Sequence, residues 1–224
     1  MKSNRFFALC AIVVIGALAA TAALAATSNS ADKPMTMDMS SMRTTDKAAD
    51  LRVTLNRLFG EHVELAIQAT QAGYAGEANA PALAKSLDRN SVQIADAIGS
   101  VYGPAARNKF LNGRFMWRDH IRFFGQYAGA LAKHDKTGEA RAVSNLKGYI
   151  EAFSGFLATA TGLPQSALRA SITEHVMQLK GQLDAYSKHR YAKSYALEHA
   201  AYVHMGMTAD TLAGAIVKKF PAKF

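Results

Sequence analysis

The chain has 224 residues, half of them apolar, with 26 Lys and Arg against 17 Asp and Glu, for a formal charge of +9. Its single cysteine, Cys10, excludes a disulfide framework and any cysteine-built metal or redox centre. The basic residues are scattered rather than clustered, so no nucleic acid is expected as a partner. No phosphate-cradling glycine loop, nucleophile-elbow serine or His-Glu-x-x-His zinc helix is present, and the chain is expected not to be an enzyme.

Lys2 and Arg5 precede an apolar stretch from Phe6 to Leu18, and Ala23-Leu24-Ala25 offers small residues for cleavage. This pattern predicts a secretory signal over residues 1–25. Its removal takes away Cys10 and lowers the charge from +9 to +7, because Lys2 and Arg5 leave and no acid does. The expected product is exported, periplasmic or extracellular, with no stable membrane insertion once the signal is gone. Residues 26–47 are polar and poor in bulky apolar side chains, which predicts a disordered tail. Within it, Met35, Met37, Met39 and Met42 stand among Thr, Asp and Ser, so core packing does not account for them.

From residue 48 to residue 224 the pattern is that of a helical domain. Six helices are predicted, over about 48–72, 80–101, 104–134, 139–160, 164–187 and 190–218. Gly103-Pro104 and Gly162-Leu163-Pro164 supply a glycine stop followed by a helix-starting proline. Connections this short make sequential helices antiparallel neighbours. The expected fold is an all-α bundle of about six antiparallel helices, built as three tandem helical hairpins.

Three histidines follow an acid and precede a β-branched residue: Glu61-His62-Val63, Asp119-His120-Ile121 and Glu174-His175-Val176. They are 58 and 55 residues apart, close to the length of one hairpin. Each falls on an apolar helical seam. Leu51, Leu55, Leu58, His62 and Leu65 form the first, Trp117, His120, Phe124 and Tyr127 the second, and Leu168, Ile172, His175 and Leu179 the third. His204 joins a fourth seam with Leu197, Ala201 and Thr208, and Met207 shares its face three residues on. Met116, four residues before His120, is placed on the face of that histidine.

The segments "AIGSVYG", "WRDHIRFFGQYA", "ATGLPQSAL", "EHVMQL" and "YVHMGMTADTLAGAIVKKFPAKF" resemble a family of secreted, all-helical bacterial proteins of largely unassigned function, over residues 51–224. The resemblance implies an exported helical fold. Some relatives carry a copper amine oxidase label. Such oxidases have an Asn-Tyr pair whose tyrosine becomes a quinone cofactor, and this chain contains no Asn-Tyr.

Clustered thioethers hold Cu(I) where thiols would be oxidised, and buried imidazoles without partners are costly unless they bind something. The metal-site candidates are therefore Met35, Met37, Met39, Met42, His62, His120, His175, His204 and Met207, with copper as the expected ion. Glu61, Asp119 and Glu174 flank the seams as candidate partners for the imidazoles. The leading expectation is an exported helical protein that binds copper, as Cu(I), for buffering, delivery or tolerance. The second is a non-catalytic helical module that meets another envelope protein and uses its histidines for internal hydrogen bonds. Haem or redox use of His/Met ligands has no Cys-x-x-Cys-His attachment motif behind it.

Overall fold

A computed structural model describes residues 46–224, so the predicted signal and the four tail methionines lie outside the described residues. Seven α-helices follow one another: α1 (Lys47–Ala75), α2 (Ala80–Tyr102), α3 (Pro104–Asn112), α4 (Trp117–Ala132), α5 (Lys136–Thr161), α6 (Gln165–Ser187) and α7 (Tyr191–Lys219). A 3₁₀ turn, Pro221–Lys223, comes after them. The described residues contain no strand, and the fold is all-α. No described helix is long and apolar enough to cross a membrane.

Local chemistry sets the boundaries. Asp46 caps α1 by accepting from the N–H groups of Ala48 and Ala49 at 2.9 and 3.2 Å. Asp135 caps α5 through Gly138 N–H at 2.9 Å, which draws Gly138 into the first turn and starts this helix earlier than its glycine suggests. Gly103 and Gly162 end α2 and α5 at φ of 88° and 80°, a region glycine enters without a Cβ penalty.

The predicted 104–134 helix is two helices. Gly113 to Met116 interrupt it, and Phe115 adopts φ 56°. The Asp119 carboxylate accepts from Phe115 N–H at 2.7 Å and so begins α4 afresh. A Cβ at Gly113 would lie 2.5 Å from the Lys109 carbonyl oxygen and 2.8 Å from Met116 Cγ. Gly113→Ala is therefore expected to cost about 1–3 kcal/mol by overpacking. Urea unfolding checks this, and a loss below about 0.5 kcal/mol would mean the break relaxes freely.

Helices adjacent in sequence pack on one another, α1 on α2, α4 on α5, and α6 on α7. α1 also contacts α4, α6 and α7, and so lies at the centre of the polar core described below. Leu55, Val63, Ile94, Leu146, Ala201 and Ala209 are almost wholly buried between these helices. An aromatic column runs through the middle: Phe110 stacks on Trp117 at 5.0 Å between centroids, and Tyr149 stacks on Phe153 at 5.1 Å. The far end is tied by α7 and the turn after it. Lys219 Nζ donates to the Thr159 and Ala160 carbonyls at 2.9 and 2.8 Å, and Lys223 Nζ donates to the Val101 carbonyl. These lysines satisfy terminal carbonyls of α5 and α2 that have no partner within their own helices.

The ends of α1, α4 and α6 share one geometry. Gly76, His134 and His189 each lie 14 residues beyond the seam histidine of their helix, and all three have positive φ, at 70°, 55° and 56°. The following residue donates back to Ala72, Ala130 or Ala185, at 2.9 Å in every case.

Candidate functional site

Seam periodicity turns His62 of α1, His120 of α4 and His175 of α6 inward, and all three are buried. The His62 ring centre lies 5.5 Å from that of His120 and 6.3 Å from that of His175. Trp117 packs against two of them, 4.8 Å from His62 and 5.0 Å from His120. On the other side of His120, Tyr149 stacks nearly parallel at 4.6 Å.

Both ring nitrogens of His62, Nδ1 of His120 and Nδ1 of His175 are sealed from solvent without a hydrogen-bond partner. Trp117 Nε1 and Asn90 Oδ1 share that condition. The Asn90 side-chain N–H groups go to the Leu58 carbonyl and to Glu61, at 3.0 Å each. Each such buried group costs about 1–3 kcal/mol when unpaired.

Two small cavities adjoin the trio. One, of about 40 Å³, is walled by His120, Tyr149, His175, His204 and Met205 among aromatic side chains. The other, of about 20 Å³, lies beside His62 and His120, with Thr70 and Leu179. Both exceed the roughly 10–15 Å³ that one water-sized species needs.

Burial dominates the electrostatics. Desolvation, helped by the neighbouring His175, lowers His120 to about 3. Desolvation, with His62 and His204 nearby, does the same to His175, also to about 3. His62 falls well below the usual histidine range from burial first and His120 second, only partly offset by the adjacent Asn90 amide. All three imidazoles are therefore neutral at physiological pH, the form in which a ring nitrogen offers a lone pair. Burial also raises the Tyr149 phenol and keeps its proton in place.

His204 differs. Its Nε2 meets the Ser171 carbonyl at 3.0 Å and Ser171 Oγ at 3.1 Å, and its Nδ1 faces Glu174 Oε2 at 3.6 Å. It shares a cavity wall with His120 and His175, yet its ring belongs to the α6–α7 boundary. Met207 is 57 % exposed and lies outside the trio, in a groove beside His204. The buried thioether at the inner cavity is that of Met205. Met116, placed on the His120 face by a continuous helix, is instead the cap residue of α4 and lines a groove with Tyr102 and Phe156. The interruption at Gly113 rotates it away.

The three flanking acids have three roles. Glu61 accepts from Asn90, Asp119 caps α4 and pairs with Arg122 at 2.7 Å, and Glu174 accepts from Gln178 at 3.1 Å while facing His204. Tyr149, Asn90, Ser171 and Met205 are the site residues absent from the sequence-based set. Tyr149 had a signal, since it continues the apolar seam of Ala142, Leu146 and Phe153 along α5.

As the side chains stand, no group of three or more His, Cys, Asp or Glu among the described residues is placed to hold a metal ion. Pairs meet a looser requirement. Two imidazoles sharing an ion at about 2.0–2.1 Å per bond have ring centres roughly 5–6.5 Å apart. The separations of His62 from His120 and from His175 fall in that range. No protein-family model, curated protein or solved structure matches the chain.

Proposed function

We propose that this chain is an exported, non-catalytic protein that holds copper as Cu(I), using the imidazoles of His62, His120 and His175. The observation that carries this reading is the set of four sealed ring nitrogens without partners in one cluster. A histidine kept for structure has its hydrogen bonds made, as His204 does. The trio instead holds neutral lone pairs against apolar walls. Pairs of imidazoles, rather than a set of three or four ligands, suit Cu(I), which accepts two nitrogens in line. Structural Zn(II) takes four ligands and fits the arrangement poorly. Met205 on the inner wall adds a soft donor, and thioethers favour Cu(I). On this reading Met35, Met37, Met39 and Met42 capture the ion and the core retains it, for buffering, delivery or tolerance.

One observation favours the second reading, a helical module that meets another envelope protein. Tyr195, Tyr202 and Val203 are 59 %, 51 % and 45 % exposed on α7. Thermal melts of residues 26–224 with the four tail methionines changed to Leu separate the readings. Cu(I) at a hundredfold excess over its dissociation constant is expected to stabilise the folded chain by about 2.7 kcal/mol. Zn(II) is expected to do much less. Failure of Cu(I) to shift the melt would leave the trio without a metal role.

A further inference from the structure

Away from the histidines, the break at Gly113 turns Met116 into the wall of a groove of about 460 Å³. The groove lies between α3 and the C-terminal ends of α2, α5 and α7. Ligand clefts span about 300–1,000 Å³, so it is large enough to take a small molecule. None of His62, His120 and His175 lines it. Its depth comes from small residues, since Ala106, Ala152 and Gly155 stand where longer side chains would fill it.

The charge on its walls has one sign. Lys109 and Lys219 line the groove, and no Asp or Glu among the described residues does. Neither lysine pairs with a carboxylate among the described residues. Lys219 Nζ gives two of its three N–H groups to the Thr159 and Ala160 carbonyls, which fixes the ammonium and leaves one donor over. Lys109 Nζ sits 5.7 Å from the centre of the Phe156 ring, held by the aromatic face and not by an anion.

The rings select against a flat ligand. Phe156 stacks on Phe153 and is approached by Lys109. Phe220 meets Tyr102 edge to face at 5.1 Å and carries Lys223 over its ring at 5.4 Å. Tyr102 donates its O–H to the Ala160 carbonyl at 2.8 Å. With those faces engaged, the remaining apolar lining is the side chains of Ile98, Ala106 and Ala152 and the Met116 thioether. Such groups adapt to a flexible chain of methylenes better than to a stacked plane.

We propose that this groove binds a fatty acid anion of medium chain length. Lys109 and Lys219 meet the carboxylate, through contacts that charge on both partners strengthens. The alkyl chain lies along Ile98, Ala152 and Met116, and each methylene taken out of water adds to the affinity.

The test titrates dodecanoate, below its micellar concentration, into metal-free residues 26–224 at pH 7.5 by calorimetry; this segment contains every described helix. One equivalent is expected. The Met116 methyl signal in the NMR spectrum shifts on binding, while that of Met205 at the inner cavity does not. Ala106→Leu fills the groove and is expected to weaken binding at least tenfold. Lys109→Gln, at an exposed position, should weaken it at least threefold, and Lys188→Gln, in the loop before α7, less than twofold. Dodecyltrimethylammonium keeps the chain without the negative charge, and 2-naphthoate keeps the charge without the chain. Each should bind at least tenfold more weakly than dodecanoate. Should Ala106→Leu fail to fold, Lys109→Gln and the Met116 signal decide. A smaller loss in Lys109→Gln or in folded Ala106→Leu, either alternative ligand within tenfold, an equal response in Lys188→Gln, or an unmoved Met116 signal would overturn the proposal.

Discussion

Between pH 7.5 and pH 5 the folded chain should lose about 4 kcal/mol of stability through His120 and His175 alone. Both have folded pKa values of about 3, set chiefly by desolvation. In the unfolded chain each returns to about 6.5. Between these values the unfolded state binds more protons than the folded one, so stability rises with pH across that window. It is complete above about 6.5 and is lost progressively as the pH falls toward 3. At pH 5 the difference amounts to about 2 kcal/mol for each ring, and His62, shifted in the same direction, adds to it. Total stabilities of domains are about 5–15 kcal/mol, so the loss is large. Several neighbours of the trio leave this difference unchanged. Trp117 does not titrate, and Tyr149 remains a neutral phenol throughout. The Asp119 carboxylate, held low by Arg122 and Phe115 N–H despite its partial burial, stays ionised at pH 5. Urea unfolding at the two pH values measures the difference directly. A loss under about 1 kcal/mol would mean that the trio is not neutral and sealed in the folded chain.

His62→Leu should stabilise the metal-free chain by about 2 kcal/mol at pH 7.5. Leucine continues the Leu55 and Leu58 seam at similar volume and removes two nitrogens that are buried without partners. Lost contact with the Trp117 ring, 4.8 Å away, offsets part of the gain. The same change should abolish most of the Cu(I)-induced melting shift. His204→Leu provides the contrast: it removes the group that satisfies the inner side of the α6–α7 boundary, and a loss of about 1–3 kcal/mol is expected. Paired denaturant melts and Cu(I) titrations of both variants decide the matter. A His62→Leu chain less stable than the parent by more than about 1 kcal/mol would show that the imidazole is structural.

The inward histidines and most helix ends were legible because local rules set them. The Gly103-Pro104 and Gly162-Leu163-Pro164 signals mark the boundaries found, and spacing by three and four puts His62, His120, His175 and His204 on buried faces. The break before α4 was not legible, since Gly113 and Trp117 fit a continuous seam and the capping role of Asp119 appears only once Phe115 turns to positive φ. Proximity within the trio depends on how α1, α4 and α6 pack, which periodicity does not encode. The flanking acids were indistinguishable in sequence for the same reason. Asn90 on α2 engages Glu61, whereas Glu174 meets a histidine of α7. Met205 and Met207 are two residues apart and therefore about 200° apart around α7, so a small error in placing the seam exchanges an inner for an outer thioether.

The central position of α1 also orders events in time. Arg52 and Asn56 reach Asp210 across 158 and 154 residues, whereas α1–α2, α4–α5 and α6–α7 meet between neighbours in the chain. Near contacts form sooner than distant ones, because closing a longer loop costs more entropy. His62, His120 and His175 belong one to each of those early pairs, and stay hydrated until the pairs dock. Their dehydration thus falls on the late step. Mild acid should act there first, slowing the assembly of preformed helical pairs while leaving the helices themselves intact.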